Sequence, residues 1–277
     1  VDLDGNIVDY EVYPSVIRST ERMTYNNVNK ILNGNQRVQR EYEHLGDLFF
    51  VLRDCADAIR KQRVHKGAIE FDSVESEIIV DVDGHPTDVR PRTRGHAEEM
   101  IEDCMIAANV SANFMKWQEI PSVYRIHEEP QQKRIREFVR VSELLGHKLV
   151  LPKGDIHPNV IQRYLESVKN SSEYPVLSMM LLRCMSKAKY DNACVGHFGL
   201  AEEEYLHFTS PIRRYPDLAV HRMLRKYSFE GCLDLEQRKM DEEKCSEYAE
   251  QASEREKAST DAEYACDDMK KAEYMLD

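Results

Sequence analysis

Apolar positions along the chain follow two periods, one of strands and one of helices. Val8, Tyr10 and Val12 fall at every second position, so residues 7–18 predict a strand, and Asp4-Gly5 just before them is a hairpin-turn signal. Thr24 is placed to cap a short helix. Over about 40–66, Leu45, Leu48, Phe49, Leu52, Ala56 and Ile59 recur at helical spacing, and Gly67 stands where that helix ends. Strands are expected at about 77–82 and 88–92, joined through Asp83-Gly84. A helix over about 95–116 has an apolar face of Met100, Ile101, Met105, Ala108 and Ala112. Residues 122–126 read as a strand. Helices are expected over about 131–145, 158–168 and 174–188. Pro216 opens another that runs through Tyr227, and a long charged helix covers about 234–276. Helices and antiparallel strands mixed without regular alternation predict an α+β fold or a helix-wrapped barrel. No repeat or low-complexity linker divides residues 1–277, so one domain is expected.

Composition narrows the class. Of the 277 residues, 42% are hydrophobic and 32% charged, and no run approaches the ~18 apolar residues of a membrane span. A net charge of −12 argues against a generic nucleic-acid coat protein. The charge is uneven, however. Residues 230–277 hold sixteen acids and seven bases, whereas 209–226 hold five bases and one acid, a local basic site. Seven cysteines, an odd number without a CxxC pair, fit free thiols in a reducing cytoplasm. The acidic start, Val1-Asp2-Leu3-Asp4-Gly5, lacks signal-peptide character and an initiator Met. Three residues before a turn cannot pair a twelve-residue strand, so the chain is expected to be a piece of something longer.

The chemistry concentrates in Gly196-His197-Phe198-Gly199-Leu200 and in the run from His207 through Phe208-Thr209-Ser210-Pro211-Ile212-Arg213-Arg214-Tyr215-Pro216-Asp217-Leu218 to His221-Arg222. Ser210 before proline favours an extended or turned backbone. Two arginines then precede a proline-initiated helix. Guanidiniums grip phosphate in a bidentate fork, and a helix N-terminus favours anions. Thr209 and Ser210 add hydroxyls, and Phe208 and Tyr215 offer rings for base stacking. Such a loop suits a phosphodiester backbone. Equally, its arginines could pair with Asp217 and the acidic tail.

These two segments resemble the signature of the RNB catalytic domain of the ribonuclease II and ribonuclease R exoribonucleases. Further segments resemble that family in order: Ser19 to Tyr25, Gly67 to Phe71, Ile101-Glu102-Asp103 with Ala107-Ala108-Asn109, Tyr124 to Glu128, and Lys271 to Met275. The wording is nearer to ribonuclease R. The resemblance implies a processive, magnesium-dependent hydrolysis of single-stranded RNA from its 3′ end to nucleoside 5′-monophosphates. It also implies that the aspartate cluster holding magnesium, one aromatic clamp residue and the cold-shock domains lie upstream of Val1, and an S1 domain after Asp277. On this view the chain is the C-terminal portion of the catalytic domain, with no metal ligands of its own and no activity alone. The alternative is a non-catalytic RNA-binding or scaffold protein that keeps the fold.

By position, the resemblance makes Arg213 the arginine that binds phosphate near the scissile bond. Glu102 would line the catalytic cavity, Glu263 would lie near the active-site arginine, and Phe71 would be half of the clamp on terminal bases. Thr209, Ser210, Arg214, Tyr215, His221 and Arg222 belong to the RNA-binding loop, although Arg222 and Arg225 could instead complement acids from Glu230 onward. Arg60, Lys61, Arg63 and Lys66 suit a solvated helix end better than an RNA contact. Asp2, Asp4, Asp9, Asp81 and Asp83 are expected to serve turns rather than metal, and Cys184, Cys194, His197 and His207 lack structural-zinc spacing. A negative exterior with internal arginines suggests a buried binding tunnel.

Overall fold

The computed structural model describes residues 1–71 and 76–276. The chain opens with a turn in which the Asp2 carboxylate accepts the N–H groups of Asp4 and Asn6 at 3.0 and 2.8 Å. Gly5, at φ +84°, lies so close to the third helix that a Cβ would come within 2.1 Å of the Ala58 carbonyl oxygen. The expected turn is therefore present, but the strand expected over 7–18 is not. Val8, Val16 and Ile17 are exposed. Alternation makes a strand only where a second backbone supplies hydrogen bonds, and no described segment does so here.

Helix α1 (Tyr25–Leu32) starts at Thr24, whose hydroxyl accepts the Asn27 N–H. The helix expected over 40–66 is interrupted. Helix α2 (Gln36–Glu41) ends, a 3-10 turn follows, and α3 (Leu48–Lys66) begins beyond Gly46. Gly67 closes α3 in the left-handed region at φ +109°, with its N–H returned to the carbonyls of Arg63 and Val64. Of the four bases at this helix end Lys61 is exposed, as a solvated end implies, but the other three are paired. Arg60 pairs with Glu70 and Glu99 at 3.0 and 2.8 Å, Arg63 with the buried Asp103, and Lys66 with Glu202 at 3.4 Å.

Strands β1 (Ser76–Val80) and β2 (Pro86–Pro91) form an antiparallel hairpin, Ser76 opposite Pro91, with an irregularity between Ile79 and Val80. Asp81 holds its turn by accepting the N–H groups of Asp83 and His85, each at 2.9 Å. Helix α4 (His96–Ser111) stops short of the expected 116, and α5 (Phe114–Trp117) follows. Strand β3 (Tyr124–Ile126) pairs antiparallel with β4 (Lys189–Asp191), which carries too short a pattern to be foreseen. Helices α6 (Gln132–Leu144), α7 (Pro158–Val168) and α8 (Tyr174–Cys184) lie between them. Helix α9 (Tyr215–Leu224) runs into a π-helical turn at Arg225–Phe229, and α10 (Leu235–Tyr274) is the long charged helix.

Three apolar cores hold these elements. One joins β3 and β4 to α9 and α10 through Val123, Ile126, Leu206, Val220 and Ala249. A second packs α6, α7 and α8 around Phe138, Ile161 and Leu177, and a third packs α1, α3 and α4 around Ile31, Ala56 and Met100. The fold is α+β with short antiparallel strands, as expected. Among the described residues no closed barrel forms: their strands make two separate two-stranded sheets, whereas closure needs one continuous ladder.

Candidate functional site

The loop leading into α9 is held from three sides. Upstream, Tyr205 accepts the Arg125 N–H at 2.9 Å, and Leu206 bridges Tyr124 of β3. From α4, the buried Asn109 reaches the loop: its Oδ1 accepts the N–H groups of Phe208 at 2.9 Å and Thr209 at 3.2 Å, and its Nδ2 donates to the Tyr205 hydroxyl at 2.9 Å. From α9, the His221 Nε2–H donates to the Phe208 carbonyl at 2.8 Å. Asp217, fully buried, accepts the Ser210 N–H at 2.7 Å and the Arg214 guanidinium at 2.8 Å. The Ser210 carbonyl then accepts the N–H groups of Arg213 and Arg214 at 3.2 and 3.1 Å. Most of these contacts fix backbone, two join side chains (Asn109 to Tyr205 and Arg214 to Asp217), and together they set the turn that carries Arg213.

Arg213 is exposed, and its guanidinium forms no hydrogen bond or ion pair among the described residues. The nearby 530 Å³ cavity is lined by Leu218, His221, Arg222 and Arg225 and does not include Arg213. Arg214 is committed to Asp217, so it braces the turn rather than facing a ligand. Ser210 is buried, and Thr209 is engaged through its N–H. Tyr215 stands edge-on to Tyr248 of α10 at 5.2 Å, under the Arg222 guanidinium at 5.9 Å. Arg222 therefore caps an aromatic ring, whereas Arg225 does pair with Glu230, at 3.0 Å. Two expected RNA-facing groups are instead used internally: the Phe208 and His221 rings stack on each other at 4.4 Å.

The remaining candidates lie elsewhere. Phe71 is half-buried and packs against the second core. Glu102 is exposed and pairs with Arg94 at 3.6 Å, while the next residue, Asp103, is the buried carboxylate. Burial pushes Asp103 up to about 6, against the pull of Arg63 and Arg60. Glu263 is exposed on α10, fifteen residues and about 22 Å beyond Tyr248, with no hydrogen bond or ion pair to Arg213.

Other motifs do converge, through a histidine that composition did not single out. His127 Nδ1 accepts the Gly199 N–H at 2.9 Å, and its Nε2–H donates to the Ser186 carbonyl at 2.8 Å, so it is the neutral Nε2–H tautomer. The Ile69 N–H donates to the Gly199 carbonyl at 2.8 Å. Three separate segments thus meet at Gly199. Burial holds His127 below its ordinary value, His197 down to about 3 and His207 down to about 2, with the Arg214 and Arg125 charges adding to the last. The His207 Nδ1 and the Tyr190 hydroxyl are hydrogen-bonded at 2.9 Å.

Among the described residues, no three His, Cys, Asp or Glu side chains converge on a possible metal position. The carboxylates of Asp2 and Asp81 accept backbone N–H groups in their own turns. The donors described here do not fit a magnesium site. Asn109 and His127 stand inside quoted motifs but carry no site role there, and Asp217 is foreseen only as a partner for the arginines, which it is for Arg214. For Asn109 the signal toward a holding role is a polar residue among the apolar positions of α4.

The model of the RNB domain matches residues 1–230. Ribonuclease R 1 of Lactococcus lactis is 40% identical over 224 residues, covering 80% of this chain and 27% of that protein. Ribonuclease R of Thermotoga maritima is 42% identical over 229 residues, covering 82% and 32%. The chain thus spans about a third or less of the length of these relatives. Mycoplasma genitalium RNase R in complex with double-stranded RNA superimposes with a TM-score of 0.89 at 26% identity, over 98% of this chain and 48% of that one. The same protein in complex with ribose methylated single-stranded RNA gives 0.87 at 26% identity, over 98% and 42%.

Proposed function

The chain belongs to the RNB domain family, and from that premise we propose that it is the C-terminal portion of the catalytic domain of a 3′-to-5′ exoribonuclease acting on single-stranded RNA. The observation that carries this reading is the turn at Ser210–Arg214. Asp217 and Arg214 lock it from inside, and Arg213 is left with an unengaged guanidinium. In this proposal Arg213 binds a backbone phosphate beside the scissile bond as a bidentate fork and stabilises the charge that grows there. The exposed Tyr215 and Arg222 extend the contact to neighbouring nucleotides. Glu102 and Glu263, which do not meet Arg213, carry no step.

Magnesium is the cofactor this chemistry calls for, and on this reading its ligands lie outside the described residues. The products would be nucleoside 5′-monophosphates and the compartment the cytoplasm. Cold-shock and S1 domains would lie outside this chain, which alone would be inactive.

The test is RNA binding by the chain and its Arg213→Ala variant over a salt series. Loss of one phosphate contact should weaken binding about tenfold for every sequence and lower the salt slope by about 0.7. Equal affinity and equal slope would remove Arg213 from the site. Release of monophosphates by the chain alone with magnesium would contradict the proposed placement of the ligands.

A further inference from the structure

Asn109 occupies the last turn of α4, about a hundred residues before the loop it holds. It is 2% exposed, and its amide is used at both ends. The oxygen accepts two consecutive backbone N–H groups, those of Phe208 and Thr209, and the nitrogen donates to Tyr205. A buried amide in a helix interior is unfavourable unless its polar atoms are met, and here each finds a partner. Tyr205 is itself 5% exposed and edge-on to His197 and His207, so the nitrogen is bonded to a packed ring.

The location of this grip gives it meaning. Asn109 fixes the backbone at 208–209, and Asp217 fixes it at 210. The turn bearing Arg213 starts at the Ser210 carbonyl immediately after both. Without Asn109, two adjacent N–H groups would lose their acceptor, and the loop would keep its grips from β3 upstream and from α9 downstream, with nothing between them at Thr209 among the described residues. Binding geometry of this kind is sensitive to displacements near 1 Å.

We infer that Asn109 is a positioning residue that sets the direction of the Arg213 guanidinium without touching RNA. The inference rests on the reading of Arg213 as a phosphate contact.

The test is a double-mutant cycle on the whole chain, read by binding of a fluorescent single-stranded oligoribonucleotide over a salt series. Asn109→Ala should weaken binding about tenfold and flatten the salt slope, as Arg213→Ala does. The double variant should bind no more weakly than Arg213→Ala, because Asn109 acts through that residue. If the alanine variant does not fold, Asn109→Ser, too short to reach both N–H groups, takes its place. Ser142→Ala is the control: its hydroxyl bonds the His147 carbonyl and Tyr164 within the second core, and its loss should leave the salt slope unchanged. Unchanged affinity on altering Asn109, losses that simply add, or an equal flattening by Ser142→Ala would each overturn the inference. Wild-type behaviour of Arg213→Ala would overturn the phosphate reading and this inference with it. An effect of Arg213→Ala without one at Asn109 would overturn this inference alone.

Discussion

The imidazole of His221 lies 6° from parallel with the ring of Phe208, and its Nε2–H donates to the carbonyl of that same residue at 2.8 Å. One side chain thus holds both the backbone and the ring of its partner. His221→Phe keeps an aromatic face but loses the donor, and should cost about 1–2 kcal/mol of unfolding free energy. His221→Ala loses both and should cost more by about 1 kcal/mol. Urea unfolding of the two variants measures the difference, and equal losses would show that the stack contributes nothing.

The buried partner of Arg214 and the exposed Arg213 should separate by stability. Arg214 is paired with the fully buried Asp217, so Asp217→Ala strands a largely buried charge and should cost about 3–5 kcal/mol. Arg213 is exposed and unpaired among the described residues, so Arg213→Ala should stay within about 0.5 kcal/mol of wild type. Thermal unfolding of both checks this, and a strongly destabilised Arg213→Ala would mean that the guanidinium has a structural partner.

Acid should unfold the protein early. His197 and His207 have folded values well below the ordinary one near 6.5, so their contribution is complete above about 6.5 and is lost as pH falls. Each removes up to about 1.4 kcal/mol per pH unit below that point. Asp103, pushed up to about 6, has the opposite sign: its contribution is present at low pH and lost as pH rises through 6. Two imidazoles outweigh one carboxyl, so the urea midpoint should fall between pH 6.5 and 5. His207→Gln should flatten that fall, and a midpoint independent of pH across the interval would contradict buried neutral imidazoles.

Docking of the N-terminal turn should depend on Gly5. An alanine there meets a left-handed backbone, costing about 1–2 kcal/mol, and a Cβ directed at the Ala58 carbonyl. Gly5→Ala should lift the turn from α3. Faster amide exchange at Asp2 and Gly5, whose N–H groups bond the Asn6 and Asp2 carbonyls, reports this, and unchanged protection would show that the turn does not need α3.

Local chemistry was legible wherever a residue acts on its own neighbours. Thr24 caps α1, Gly67 ends α3, Asp-Gly pairs turn the chain, and the Ser-Pro-Ile-Arg-Arg turn before a proline-initiated helix stands where its order implied. What escaped depends on partners far along the chain. Residues 7–18 alternate but find no ladder. Strand β4 exists because β3 pairs with it. His221 has the chemistry of an RNA contact, yet Phe208 occupies it on both sides. Glu102 and Asp103 are adjacent acids, and only packing of α3 against α4 decides which is buried.

Helix α10 is forty residues long, about 60 Å of rod. Near its middle it is clamped to the β3–β4 pair, where Ser253 meets Tyr190 and Glu256 meets Arg125 at 2.6 Å. Farther along, Lys270 holds the Gly84 carbonyl at the tip of the β1–β2 hairpin. Tyr190 in turn bonds His207, at the head of the arginine loop. A mechanical load applied to the hairpin would therefore travel down a single stiff beam to the segment that begins the loop.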